Sequence, residues 1–138
     1  MNKPFIRIIL VDDHHLARQS WSMLLSYDER FSIICECDNG EEAIKQASQL
    51  TPDVMLVDIN MNPINGFEVT QQVLQTNPSI KIIGISVNNH PSYANRMLTI
   101  GARGFVTKGS PYEEVAHAIM EVYNGEVYIC NEVKNMMP

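Results

Sequence analysis

Three aspartates, a serine and a lysine stand where apolar runs stop. Asp12 and Asp13 follow RIILV, Asp58 closes DVMLVD, Ser86 closes KIIGIS, and Thr107-Lys108 end GFVTK. If each run is a strand of one parallel sheet, these side chains gather at the carboxyl edge, where open α/β sheets bind ligands. Crowded carboxylates raise one another's pKa unless a cation compensates. Oxygen-only ligands with open positions suit Mg2+, which keeps several waters and also takes phosphate oxygens. A lysine adds a point charge for a phosphate, and a serine hydroxyl adds a neutral donor. The set is complementary to a phosphoryl group, and Asp58, on a central strand, is placed to attack phosphorus and form an aspartyl phosphate. Any one of these acids alone reads as a helix cap; it is their conjunction in this order that points to chemistry.

The elements that must position them are legible as alternation. RIILV precedes a helix near 14 to 27, FSIICEC one near 40 to 50, DVMLV one near 66 to 76, KIIGIS one near 92 to 100, and GFVT one near 111 to 124. β-Branched runs alternating with amphipathic stretches predict a single-domain α/β fold, a flavodoxin-like (βα)5 doubly wound parallel sheet with helices on both faces. Asn39 with Glu42 and Ser110 with Glu113 fit the spacing of a capping box, and Pro91 and Pro111 suit first helical positions. Apolar residues at 16, 23, 24 and 27, and at 115, 119 and 122, recur at helical spacing and should face the sheet. Trp21 falls off that stripe, at a helix margin or a partner surface. Asn124-Gly125 ends the last helix, and EVYIC and NEVKNMMP read as a short extended piece and a tail.

Composition narrows the classes. A chain of 138 residues, 45% hydrophobic and 19% charged, can bury one core without staples. A net charge of −6 argues against gripping a phosphate backbone directly. Apolar runs fall far short of the roughly 18 residues that span a bilayer, and MNKPFIRIIL enters a strand pattern without a signal-peptide cleavage region, so a cytoplasmic location is expected. Cys35, Cys37 and Cys130 lack metal spacing and are expected as reduced, buried thiols. His14 and His15 tempt a zinc reading beside Asp12 and Asp13, but adjacent residues diverge on a helix and further ligands are lacking.

The motifs resemble a known family. Asp12-Asp13 after an apolar strand, VMLVDINM around Asp58, IIGIS ending in Ser86, and GARGFVTKGS carrying Lys108 look like the receiver domain of bacterial two-component response regulators, over residues 5 to 125. The resemblance implies that Asp58 is the phosphoacceptor and that Asp12, Asp13 and Asp58 hold Mg2+ with the backbone carbonyl of Asn60. It implies that Ser86 and Lys108 contact the bound phosphoryl. Phe105 is either a switch residue whose ring rotates inward when Ser86 moves, or a static core residue. Asn60 and Asn88 stand where the family tunes loss of the phosphoryl group, and both are also ordinary loop residues. HHLARQSWSMLL and NGEEAIKQA are most similar to receivers attached to LuxR-type helix-turn-helix outputs.

The function so implied is a phosphorylation-dependent signalling switch that assists its own phosphotransfer and autodephosphorylation but is not otherwise an enzyme. A sensor histidine kinase is the expected donor, a homodimer is admitted, and DNA is reached only through an output domain beyond this chain. Residues 1–125 form the receiver and 126–138 a tail or the start of a linker. The alternatives are a stand-alone receiver acting through protein contacts and an aspartyl-phosphate phosphatase. The phosphatase would want a second Asp two residues after the nucleophile, where this chain has Asn60. A flavin module would want a phosphate loop where DDHHLAR is anionic, and a pseudo-receiver would not keep the full acid set. Two departures from the family stand out. Met61-Asn62-Pro63 replaces the usual Met-Pro, and Gly109 follows Lys108 in place of proline.

Overall fold

The computed structural model describes residues 5–138; residues 1–4, which begin the MNKPFIRIIL stretch, lie outside the described residues. β1 (Ile6–Val11), β2 (Phe31–Cys37), β3 (Val54–Asp58), β4 (Lys81–Ser86) and β5 (Gly104–Thr107) alternate with five helices. These are α1 (His15–Ser26), α2 (Gly40–Leu50), α3 (Gly66–Thr76), α4 (Pro91–Ile100) and α5 (Tyr112–Tyr123). Where the sequence predicts an extended piece and a tail, the chain adds β6 (Tyr128–Ile129) and a one-turn α6 (Asn131–Lys134). All pairings are parallel, in the order β2-β1-β3-β4-β5-β6. The sheet is therefore the expected doubly wound one with a sixth strand on its β5 edge.

Strand order reverses between β1 and β3, which makes the carboxyl ends of those two strands the switch point. Val11 lies opposite Val57, so the next residues, Asp12 and Asp58, leave the sheet side by side. Asp58 is in turn opposite Ile85, and Ser86 opposite Thr107. Every residue of β3 is buried, as its unbroken apolar run requires of a strand covered on both faces.

α3 begins hard against the end of β3. Asn65 and Glu68 form a complete capping box, each side chain bonding the other's backbone N–H. At Gly66 a Cβ would lie 2.5 Å from the Asp58 carbonyl oxygen, so only glycine lets the helix start this close to the acid. Asn39 caps α2 by accepting from Glu42 N–H at 2.8 Å, but Glu42 turns its own carboxylate to Gln46, leaving half a box. The box expected at Ser110 and Glu113 does not form. Ser110 Oγ instead takes Thr107 N–H at 3.2 Å, and Pro111 becomes the residue before the helix.

α1 corrects the predicted stripe. Leu16, Met23, Leu24 and Tyr27 are exposed, and the helix packs through Trp21 and Leu25 instead. Two buried side chains one turn apart, each worth about 2 kcal/mol or more on burial, set the inward face regardless of how many apolar residues lie elsewhere. Val115, Ile119 and Val122 of α5 face the sheet as expected. Cys37 and Cys130 are buried and Cys35 half-buried, all as free thiols.

Candidate functional site

The register delivers the acids and β5 delivers the cation. Asp12 and Asp58 side chains are each only 1% exposed, and Lys108, just past β5, reaches both: its Nζ is 2.9 Å from Asp12 Oδ2 and 3.3 Å from Asp58 Oδ2. Asp13 stands at the rim, more open to solvent. Each buried acid is held by the backbone two residues on. Asp12 Oδ1 accepts His14 N–H at 2.9 Å, and Asp58 Oδ1 accepts Asn60 N–H at 3.0 Å. These turns fix the planes of both carboxylates.

Proximity splits the pair's proton affinities. Burial, with the charge of Asp12 beside it, pushes Asp58 up to about 6, against the Asn60 N–H and Lys108, which favour its charge. Burial also opposes charge on Asp12, yet the His14 N–H and Lys108 outweigh it and bring Asp12 below the ordinary carboxylate range. Three carboxylates facing one ammonium leave uncompensated negative charge in a largely buried cleft. Their oxygens and that excess fit a hard divalent cation.

Ser86 and its neighbours close the other side. Ser86 Oγ donates to Asn60 Oδ1 at 3.0 Å and accepts Asn88 N–H at 3.0 Å, while the Ser86 carbonyl takes Lys108 N–H at 2.8 Å. The serine and lysine loops are thus tied backbone to backbone. Phe105, two residues before Thr107 on β5, is fully buried in this conformation, while the Ser86 hydroxyl is given to Asn60. The chain turns after Asp58 through a cis Asn62–Pro63 peptide, the only cis bond among the described residues.

The switch point thus gathers an acid pair, a strand-end acid, a hydroxyl and a lysine that bridges two of the acids. Residues 8–120 match the model of the response regulator receiver domain. The chain belongs to that family. This receiver domain is similar to the response regulator GacA of Pseudomonas viridiflava, with 35% identity over 96% of this chain and 62% of the relative. It is also similar to the transcriptional regulatory protein DegU of Brevibacillus brevis, with 32% identity over 94% of this chain and 55% of the relative. The chain therefore spans roughly three-fifths of the length of the curated relatives it matches. A LuxR-family two-component response regulator from Aurantimonas sp. SI85-9A1 superposes with a TM-score of 0.92 at 25% identity, covering 96% of this chain and 95% of that one.

The receiver domain also holds a residue that sequence reasoning set aside. His14 precedes α1 with extended backbone, so the divergence of neighbours on a helix does not apply to it. Its Nδ1 lies 3.2 Å from Asp12 Oδ1 and from Asp13 Oδ1, and 3.1 Å from Lys108 Nζ. The available signal was its place between the strand end and the first helical turn. His15 instead turns toward Arg18, whose Nη1 donates to the Asp12 carbonyl at 2.8 Å. Cys35 and Cys37 lie on one face, with sulfurs 3.8 Å apart.

Proposed function

We propose that this receiver domain accepts a phosphoryl group from the phosphohistidine of a sensor kinase onto Asp58. The observation that carries the proposal is the bridge from Lys108 Nζ to both Asp12 and Asp58 at the strand-order switch point. Ionised Asp58 attacks phosphorus. Its oxygen forms the O–P bond as the P–N bond of the donor breaks, and the electron pair returns to the imidazole nitrogen. The Asn60 N–H holds the carboxylate plane during approach, and Lys108 supplies positive charge where the transferred oxygens gather.

Asp12, Asp13 and Asp58, with the Asn60 carbonyl, are the residues that would hold Mg2+, which when bound neutralises phosphoryl charge and clamps its oxygens. A phosphoryl on Asp58 then competes for the Ser86 hydroxyl proton now given to Asn60. Movement of Ser86 carries its loop, and the two-state balance of the α4 surface follows the difference in contact that the phosphoryl makes with Ser86 and Lys108. Phe105, fully buried on β5 beside the Ser86 strand, is the residue whose ring would follow that movement.

The domain signals to a DNA-binding transcription output outside these residues, in the cytoplasm. The description of DegU as a transcriptional regulatory protein, and the length of the relatives beyond the matched part, support this reading. Among the described residues no helix is long and apolar enough to cross a membrane.

The linkage chemistry tests the proposal. After incubation with acetyl phosphate and Mg2+, hydroxylamine should cleave the acyl phosphate, releasing phosphate and leaving a hydroxamate that peptide mass mapping finds on Asp58. A hydroxamate on Asp12 or Asp13 alone would refute the assignment.

A further inference from the structure

The C-terminal segment is fastened to the two loops that flank the site. β6 adds to the β5 edge through Tyr128 N–H to Arg103 carbonyl and Cys130 N–H to Phe105 carbonyl, each at 3.0 Å. Glu114 of α5 holds the junction, its Oε2 accepting both Tyr128 OH of β6 and the N–H of Asn131, the first residue of α6, at 2.7 Å. α6 adds a different hold. Glu132 Oε1 accepts the Thr107 hydroxyl at 2.7 Å, and Glu132 Oε2 accepts Asn89 Nδ2 at 2.9 Å. Thr107 immediately precedes Lys108, and Asn89 follows Asn88, whose N–H is bound by Ser86 Oγ. One carboxylate on α6 therefore spans the serine loop and the lysine loop.

We propose that Glu132 is a positioning residue that couples the phosphoryl site to the docking of α6, so that phosphorylation of Asp58 loosens α6 from the domain. This rests on the phosphoacceptor reading above. When Ser86 turns its hydroxyl toward a phosphoryl group, the Ser86–Asn88 bond that shapes residues 87–89 is given up. Asn89 then leaves Glu132, and the acid keeps only Thr107. Glu114 touches neither loop and keeps both β6 and Asn131, the first residue of α6, so β6 remains paired while the rest of α6 pivots about Asn131. Binding linkage is reciprocal, so weakening the Glu132 contacts must also favour the phosphorylated arrangement by the same factor.

Cys130 reports the motion. It is fully buried at the junction of β6 and α6, with Val133 buried beside it, while Cys35 on the far edge strand serves as an internal reference. The full chain is labelled with a maleimide in the presence of Mg2+, with and without acetyl phosphate, and the rate at each cysteine is read by peptide mass. Phosphorylation is confirmed on the same sample by intact mass. Wild type should show Cys130 labelling at least about fivefold faster when phosphorylated, the low end of coupling between linked sites. Cys35 should not change. Glu132→Gln offers one acceptor where two donors converge, so its basal Cys130 rate should rise and its dependence on phosphorylation should collapse. Asn89→Ala should behave alike. An unchanged Cys130 rate in phosphorylated wild type, or an undiminished response in both variants, overturns the coupling. Failure of wild type to gain a phosphoryl mass overturns the phosphoacceptor reading, and this coupling with it.

Discussion

Ser86 Oγ donates to the side-chain carbonyl of Asn60 across 3.0 Å, which commits the hydroxyl proton to that amide. The side chain of Asn60 therefore has a contact distinct from that of its backbone, whose N–H bonds Asp58 and whose carbonyl is the proposed cation ligand. Asn60→Ala should leave Mg2+ affinity nearly unchanged while removing a restraint worth about 1 kcal/mol, a roughly fivefold shift of the balance toward the active surface. NMR titrations with Mg2+ and then a phosphoryl analogue separate the two. Shifts should centre on residues 12, 13, 58 and 60 for the metal; loss of metal binding in the variant would assign the side chain, not the backbone, to the ion.

Lys108→Ala removes the only ammonium that touches both buried acids among the described residues. Asp58 should still accept a phosphoryl group, more slowly, but the structural response should be incomplete. A full reversal of a two-state balance needs about 5.5 kcal/mol of differential binding, and losing ~2 kcal/mol of it leaves a visible mixture. Amide shifts over residues 86–123 in phosphorylated wild type and variant give the comparison. Equal shifts would mean that the lysine transmits nothing.

How far the sequence disclosed this molecule depended on whether local chemistry or tertiary choice decided each feature. The strand ends were legible because an apolar run that stops at Asp58 or Ser86 changes residue type where it leaves the core. The inward face of α1 was not, since Leu16, Met23 and Tyr27 are as apolar as Leu25, and only packing selects among them. The extended piece EVYIC was legible, but its place as a sixth strand was not, because a two-residue strand has no periodicity and forms only by pairing with the β5 edge. His14 was lost to an assumed helix that starts one residue later. Ser110 had the spacing of a cap, but Thr107 claimed its hydroxyl first.

The approach of α3 to the end of β3 makes Gly66 costly to change. In Gly66→Ala the new methyl would lie 2.5 Å from the Asp58 carbonyl oxygen and Ile59 Cα, both backbone, so the helix start or the strand end must shift. Urea melts should show destabilisation of about 2–4 kcal/mol, in the range of backbone and overpacking effects. Gly109→Ala is the control, with its nearest neighbour the Glu132 Oε1 at 3.8 Å, and should stay within about 0.5 kcal/mol. A neutral Gly66→Ala would contradict the close approach.

Asp28 joins the end of α1 to the start of α5. The Arg30 guanidinium, bound at 2.7 Å, and the Tyr112 hydroxyl, also at 2.7 Å, hold its carboxyl well below the usual range despite partial burial. The folded state thus binds fewer protons than the unfolded one. Stability from this acid is complete above the unfolded value near ~3.9 and is lost as pH falls through the lowered folded value. Asp28→Asn should therefore cost about 1 kcal/mol at neutral pH, allowing for solvent screening, and the gap from wild type should narrow below about pH 4. A gap that widened on acidification would reverse the sign of the linkage.

The acceptor itself is tested most directly by intact-mass measurement of wild type and Asp58→Asn after incubation with acetyl phosphate and Mg2+. The amide of asparagine cannot serve as the nucleophile, whereas the buried Asp12 and the rim Asp13 remain in place. Wild type should gain a single phosphoryl mass and Asp58→Asn none. Persistent single phosphorylation of Asp58→Asn, lost only when another acid is replaced, would contradict the assignment of Asp58 as the phosphoacceptor.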